Sequence, residues 1–367
     1  MKTRSLAILF LLAGLSTASA VAAVWHRQQL INPPKIPASL FPALSAKVNQ
    51  VTTIAVITPG DTFTIQKSGK SSWTIPEKDN YPVMFETVKQ AVVGMSELKP
   101  IAAKTARPEL YGKLNLDDPR KGGKGTRIAL RDKDAKEFAV LIIGKNKSTA
   151  TESRVGWHYV RKEGGERAWL AAGRITVWDK SIRWLDGAMP IIERKRIRAV
   201  SSIDAKGNTV TVSRKEVHGR DFKLENVPSG RKVVYETAPN ALGSALGFMS
   251  FDDVRTAKNL DFSKPAHRTV FQLFDGLNIT VAMIEEKKQK WWRFTADYDK
   301  KRQRLDLVDK DTKKDIKNPE ALTKEAETLN KRYGAWAYKL PKYKTDDLLT
   351  DIKKITMEDE AAKKSGG

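Results

Sequence analysis

Residues 51–75 read VTTIAVITPGDTFTIQKSGKSSWTI, and the pattern at the centre of this stretch returns twice more along the chain. The three copies are GDTFTI at 60–65, GNTVTV at 207–212 and GLNITV at 276–281. In each copy a glycine is followed, three residues later, by an apolar residue, a threonine and then isoleucine or valine. The chain is therefore built around a repeated local motif.

The first residue of each copy predicts the turn of a β-hairpin. These turn glycines are Gly60, Gly207 and Gly276. Glycine adopts turn conformations that a residue with a Cβ resists, and the β-branched alternation that follows suits a half-buried strand. An aromatic residue of a further strand follows each copy, at Trp73, Phe222 and Trp292. We therefore predict a β-hairpin or meander at each copy.

Helical patterns accompany the hairpins. Apolar residues at helical spacing predict an amphipathic helix over 81–98, with start signals just before Pro82. A short helix is predicted over 181–189, and another over 240–249, where Gly243 and Gly247 share one face and permit a close approach to a neighbouring element. A capped helix is predicted to begin at Asn318-Pro319.

A block of short alternating runs separates the first copy from the second. The runs are RIALRD, EFAVLIIG, GWHYVRK, RAWLAAG and RITVWD, between 127 and 179. Turn residues separate them, which is typical of an antiparallel meander. We interpret this block as an insertion within the first repeat unit.

These patterns predict an α+β fold of tandem repeats, each an antiparallel β-hairpin or meander plus a helix, with an N-terminal transmembrane helix. The predicted segments are a signal anchor at 1–27, a proline-rich linker at 28–47, repeat units at 48–190, 191–262 and 263–357, and a polar tail at 358–367.

The N-terminus predicts the cellular compartment. Lys2 and Arg4 precede an uncharged stretch, Leu6 to Trp25, that is about as long as a helix needs to cross a bilayer core of ~30 Å. Ala18-Ser19-Ala20 matches the cleavage pattern of a signal peptide, but apolar residues continue beyond it to an interfacial Trp25. We favour an uncleaved, single-pass anchor in a bacterial inner membrane, with the bulk of the chain periplasmic; a cleaved signal peptide is the alternative.

The net charge indicates which partners the chain can bind, and the composition excludes some kinds of chemistry. The net charge is +23, and the chain contains no cysteine. The positive charge favours anionic partners. The absence of cysteine excludes disulfides, thiolate metal sites, a cysteine nucleophile and a lipid-bearing cysteine.

We find no catalytic, cofactor-binding or metal-binding motif. The four histidines lack a partner at metal-ligand spacing. Residues 122–126, GGKGT, resemble a phosphate-binding loop, but Gly125 interrupts the required order of glycine, lysine and threonine. Residues 243–247, GSALG, resemble a nucleophile elbow, but the serine lies one place early.

A basic cluster offers candidate contacts for an anionic surface. Its residues are Arg194, Lys195, Arg196 and Arg198. Lysine and arginine neutralise phosphates, so nucleic acid could also bind such a cluster. An extracytoplasmic domain rarely meets nucleic acid, and we therefore expect an anionic lipid or envelope polymer, and no nucleic acid.

The anchor, the hairpin-plus-helix units with their glycine turns, and the meander together resemble a bacterial domain-of-unknown-function family, numbered forty-three forty. The resemblance covers Val48 to Asp261 best. Members of that family are found beside gliding-motility-type ABC transporter components. The resemblance implies a membrane-anchored periplasmic subunit that works with ABC transporter membrane subunits, and it implies no catalytic residues.

Three functions follow as expectations. The first is a non-enzymatic, membrane-anchored periplasmic accessory or scaffold protein of an ABC-type transport or envelope-remodelling system. The alternative is an extracytoplasmic binding module for an anionic ligand such as a lipid, lipopolysaccharide or cell-wall polymer. The third is an envelope enzyme whose carboxylates come together only in space.

Overall fold

The computed structural model describes residues 13–24, 35–147 and 156–359. The chain divides into two compact units. Unit 1 comprises Met1–Ile75 and Val83–Trp184, and unit 2 comprises Pro76–Pro82 and Leu185–Gly367. The segments that we predicted as separate repeat units at 191–262 and 263–357 both belong to unit 2.

The fold is mixed, with helices and antiparallel sheets, as the predicted α+β class requires. In chain order, the strands of the described residues are β1 (Thr53–Ile57), β2 (Thr62–Lys67), β3 (Trp73–Ile75), β4 (Tyr81–Pro82), β5 (Lys99–Ala103), β6 (Thr126–Arg131), β7 (Glu137–Asn146), β8 (Trp157–Lys162), β9 (Ala168–Ala172), β10 (Ile197–Asp204), β11 (Thr209–Ser213), β12 (Lys223–Leu224), β13 (Arg231–Val233), β14 (Asp253–Thr256), β15 (His267–Leu273), β16 (Leu277–Glu286), β17 (Gln289–Tyr298), β18 (Trp336–Lys339) and β19 (Thr356–Glu358). The helices are α1 (residues 13–24), α2 (Phe85–Glu97), α3 (Asn240–Gly243), α4 (Lys310–Asp315), α5 (Pro319–Tyr333), α6 (Lys342–Leu348) and α7 (Ile352–Ile355).

The sheet of unit 1 contains the first hairpin and the meander. Its strands are hydrogen-bonded in the order β3-β2-β1-β6-β7-β8-β9-β5. The hairpin β1–β2 pairs directly with β6, for example at Val56 and Ile128, which are both fully buried. The first four predicted meander runs form β6 to β9. The fifth run, at 174–179, forms no strand. It packs against helix α2 instead, so closely that a Cβ at Gly94 would clash with the Arg174 carbonyl.

The sheet of unit 2 contains the second and third hairpins together. Its strands are ordered β12-β11-β10-β15-β16-β17-β18-β14. Strand β10 of the second hairpin pairs with β15 of the third, and Val200 lies opposite Phe271 with both side chains fully buried. This apolar pairing joins the two hairpins into one sheet across the predicted boundary at residue 262.

The turn glycines follow the prediction at two of the three copies. Gly207 has a φ of 85° and Gly276 a φ of 87°, in the left-handed region that glycine favours. Gly60 has no positive φ, which corrects the prediction for the first copy. There the hydroxyl of Thr58 accepts a hydrogen bond from the amide of Asp61 at 2.9 Å and so closes the turn by a side chain instead.

Two predicted helices are confirmed and two are wrong in extent. Helix α2 buries one apolar face, and α5 begins with the Asn318 side chain accepting from the Ala321 amide at 2.8 Å. The helix predicted over 240–249 ends at Gly243, and the one predicted over 181–189 is a single 3-10 turn, Ser181–Arg183. Both regions contain glycine, which weakens a helix, and Pro190 disfavours helical geometry in the residue before it.

The terminal predictions lie partly outside the described residues. No helix in the described part of the chain is both long and apolar enough to span a membrane. The predicted apolar span extends beyond helix α1 on both sides, into residues 1–12 and 25–34, which are not described. Most of the polar tail also lies outside. The second part of the predicted linker is not an extended spacer, because Leu40 and Leu44 are buried.

Candidate functional site

A loop of unit 2, residues 186–193, forms one wall of a groove. Its sequence is DGAMPIIE, and Gly187 and Pro190 keep it out of a regular helix. The chain is irregular here, so neighbouring side chains are free to take opposite directions. Ile192 is 6% exposed, whereas Ile191 is 89% exposed. The loop therefore supplies both an apolar floor and an exposed apolar rim.

The other wall is the turn that follows helix α3. Gly243 packs flat against the ring of Phe222, where any Cβ would clash with the ring, so the predicted close approach is confirmed at this glycine. The chain then turns through 244–248. Phe248 has a φ of 50° and is fully exposed. A left-handed backbone costs a non-glycine residue of order 1–3 kcal/mol, and such strain is concentrated at functional sites.

Between these walls lies a cavity of about 780 Å³. This volume falls within the range of roughly 300–1,000 Å³ that is usual for small-molecule sites. Its floor is formed by buried apolar side chains, those of Met189, Ile192, Ile197 and Leu246. Its rim carries Ile191 and Phe248. We call this cavity with its rim the apolar groove.

A buried lysine closes one side of the apolar groove. Lys344, on α6, is only 5% exposed. Its ammonium donates to the carbonyl of Ala245 at 3.1 Å and to the carbonyl of Gly247. No carboxylate in the described part of the chain forms an ion pair with it. Burial raises the pKa of Asp347, one turn further on the same helix, despite the charge of Lys344.

One arginine adds positive charge to the groove, and a second donates a hydrogen bond to the backbone carbonyl of the first. Arg194 lines the groove, and its Nε donates to the hydroxyl of Ser244 at 3.0 Å. Arg214, 6% exposed, donates to the carbonyl of Ile197 at 2.7 Å. Burial, together with the charge of Arg194, lowers the pKa of Arg214 to about 10. Among the described residues, no aspartate or glutamate lines the groove, and the Asp347 carboxylate interacts with Lys344 through its charge without forming an ion pair.

The structure does not assemble the predicted basic cluster into one surface. Arg196 forms ion pairs with Asp275 and Glu325, both at 2.8 Å. Arg198 donates to the side-chain oxygen of Gln272 at 2.6 Å, and Lys195 pairs with Glu193 at 3.0 Å. Of the four predicted residues, only Arg194 lines the apolar groove. The turn glycines Gly207 and Gly276 lie in hairpins and do not line it.

A serine and a histidine meet in a second, polar pocket of unit 2. The Oγ of Ser202 lies 3.0 Å from Nε2 of His267, and Nε2 lies 3.0 Å from the carbonyl of Leu348. A carbonyl only accepts, so the second contact places the imidazole proton on Nε2. The Ser202 hydroxyl donates to the carbonyl of Thr350 at 2.6 Å. Nε2 therefore has no lone pair with which to activate the serine, and the pair ties the sheet to residues 348–350.

No group of three potential metal-ligating side chains comes together among residues 13–24, 35–147 and 156–359. Sequence reasoning missed the residues that distinguish the apolar groove, namely Lys344, Ile191 and Phe248. Lys344 and Phe248 carry no distinguishing signal in their local sequence. Only the Pro190-Ile191-Ile192 run, with apolar residues on successive positions of a proline-containing loop, carries a local signal of an exposed apolar side chain.

Comparison with family models matched residues 73–267 to a family described as Domain of unknown function (DUF4340). The match covers more than half of the chain. It includes both walls of the apolar groove but ends before Lys344. A search of curated proteins and a search of solved structures found no match.

Proposed function

The chain belongs to the DUF4340 family, and from that premise we propose that it is a non-enzymatic, membrane-anchored periplasmic accessory protein of an ABC-type transport or envelope-remodelling system. In this proposal unit 2 is the binding part of the molecule. The observation that carries the proposal is the apolar groove, with its volume of about 780 Å³ and its exposed rim. Grooves with large exposed apolar side chains mark binding sites.

The arrangement of the groove favours binding over chemistry. Its polar groups are cations and one serine hydroxyl, and that hydroxyl already accepts from Arg194. Lysine can act as a general acid or base, but the Lys344 ammonium donates instead to the carbonyls of Ala245 and Gly247. The Ser202–His267 pair is the other arrangement with catalytic residue types, and its proton position speaks against a serine nucleophile.

The proposed anchor rests on the sequence before residue 27. A charged start followed by 20 uncharged residues fits a single-pass helix with its N-terminus in the cytoplasm. We also propose that the three glycine hairpins are copies of one repeat unit, two of which share the sheet of unit 2. Fractionation of the full-length chain with the cytosol, with none in the membrane fraction, would overturn the anchored proposal.

The proposal is tested by recovering the partners. The tagged full-length chain is cross-linked briefly in cells and purified from membranes in mild detergent, beside an untagged control. Recovery of an ATPase and its membrane subunits in stoichiometric amounts supports an accessory subunit. Recovery of the chain alone, from membranes that contain the transporter, overturns that role.

A second candidate function is an extracytoplasmic binding module for an anionic ligand that works without a transporter. The observation in its favour is the buried ammonium of Lys344 beside Arg194, in a chain with a net charge of +23. This candidate predicts that the chain stays in the membrane fraction and retains its ligand when no transport subunit is recovered.

A further inference from the structure

The apolar groove joins two chemically different surfaces in one cavity. Its floor is apolar, and its rim exposes Ile191 and Phe248 almost completely. One side carries the ammonium of Lys344 and the guanidinium of Arg194, and none of the described residues that line the cavity is acidic. A ligand that matches both surfaces has a long apolar part and an anionic end.

Lys344 is the more deeply buried of the two cations and loses more of its hydration. A charge that leaves water loses its hydration, and carbonyl dipoles replace only part of it. Two carbonyls accept from its ammonium, which has three donors, and the ring of Tyr343 lies 5.5 Å from Nζ. A lysine that is only 5% exposed and forms no ion pair among the described residues would be stabilised further by an anionic ligand.

The lining favours an acyl chain over a peptide. A peptide in the groove would bring an N–H and a carbonyl with every residue, and each would need a hydrogen-bond partner. Away from the cations and Ser244 the side chains that line the groove are apolar, among them Met189, Ile192 and Leu246, and they offer no such partner. A hydrocarbon chain needs none, and gains about 0.8 kcal/mol for each methylene that leaves water.

We propose that the apolar groove binds a single-chain lipid with an anionic headgroup. The acyl chain lies on the buried floor, and the headgroup accepts from Lys344 and Arg194. The exposed ring of Phe248 and the side chain of Ile191 extend the apolar contact at the mouth. This inference rests on the part of the proposed function that makes unit 2 a binding unit, and it does not depend on a transporter.

The first experiment measures binding of cis-parinarate, a fluorescent fatty acid, to the full-length chain held in amphipol. The Lys344→Met variant removes the charge and keeps the length of the side chain. The Lys342→Met variant is its matched control, because Lys342 lies on the same helix with its side chain 88% exposed and outside the groove. We expect the Lys344→Met variant to bind at least about tenfold more weakly, since a hydrogen bond to a charged group contributes that much.

The control variant should bind cis-parinarate within about twofold of the unmodified chain. Palmitate should displace the probe at least about tenfold better than hexadecanol, and this preference should disappear in the Lys344→Met variant. Equal binding by both lysine variants, or equal displacement by acid and alcohol, would overturn the role of the cation.

A second variant keeps the test valid if Lys344→Met fails to fold. Phe248→Gly relieves the left-handed backbone at an exposed position, so the urea midpoint should rise. Binding of the acid and of the alcohol should both weaken, because the variant removes apolar contact alone. Unchanged binding of both by this folded variant would show that the lipid does not occupy the groove.

The two proposals fail separately. If the transporter co-purifies with the chain but cis-parinarate does not bind, the lipid inference fails and the accessory role stands. If the probe binds with the expected preference but no transport subunit is recovered, the accessory role fails and the lipid inference stands.

Discussion

Replacement of each hairpin glycine by alanine should give three different changes in the free energy of unfolding. At Gly207, with a φ of 85° and open space around a Cβ, the left-handed backbone costs alanine ~1–2 kcal/mol. Alanine also has fewer conformations than glycine in the unfolded chain, and this stabilises the folded state by ~0.4–1 kcal/mol. The net loss at Gly207 should be about 1 kcal/mol.

At Gly276 a steric clash adds to the same backbone cost. A Cβ there would lie 2.7 Å from Cγ of Gln303 and 2.8 Å from the carbonyl oxygen of Asp299. The glutamine can move, but the backbone oxygen cannot, so overpacking adds ~1–3 kcal/mol. The total loss at Gly276 should be about 2–4 kcal/mol. At Gly60, where φ is not positive and no atom lies within 4 Å, alanine should be neutral or stabilise by up to ~1 kcal/mol.

The assay is urea unfolding of the full-length chain in amphipol, followed by tryptophan fluorescence. The Gly207→Asn variant is the matched control, because asparagine tolerates the left-handed region and should recover most of the loss. The reasoning is refuted if Gly60→Ala destabilises as much as Gly207→Ala, or if asparagine and alanine at position 207 are equally destabilising.

Two further predictions concern buried polar groups. Burial lowers the pKa of His267 below its ordinary 6.5, so below about pH 6.5 the unfolded chain binds a proton that the folded chain does not. The contribution of this group to stability is therefore fully present above that pH and is lost as the pH drops. The His267→Gln variant keeps a donor for the Leu348 carbonyl, and it should reduce the pH dependence of the free energy of unfolding by up to ~1.4 kcal/mol per pH unit in urea unfolding. An unchanged slope in the variant would contradict this prediction. In unit 1, Arg127 is 4% exposed and bridges Glu137 and Glu163. Arg127→Met should cost about 2–4 kcal/mol because it leaves both carboxylates without this partner. A loss below about 1 kcal/mol in the same assay would show that the other ion pairs, Arg120 with Glu163 and Arg131 with Glu137, suffice.

Local patterns predicted much of the fold. The glycine hairpins, four of the five meander strands, helix α2 and the Asn318 cap of helix α5 all follow from residues close together in sequence. Strand alternation, helical spacing and capping express the covalent geometry of the chain, so they can be recognised without its partners. The predictions that failed, such as the strand at 174–179, depended on which element packs against the segment.

The apolar groove could not be predicted in the same way. Its walls and its lysine come from residues 187–192, 244–249 and 344, which only the folded chain brings together. Phenylalanine is usually buried and lysine usually exposed, whereas here Phe248 is exposed and Lys344 is buried. No local sequence pattern indicates either exception.

The sequence by itself therefore determined the hairpins, the antiparallel character of the sheets, the basic charge and the resemblance that the family match confirmed. Tertiary structure decided that β10 pairs with β15, that the predicted arginine cluster is divided among internal partners, and that a buried ammonium faces an apolar cavity. The physical reason is the range of the interactions: turns and periodicity act between near neighbours, whereas strand pairing and burial act between residues that are tens of positions, and up to 99 positions, apart.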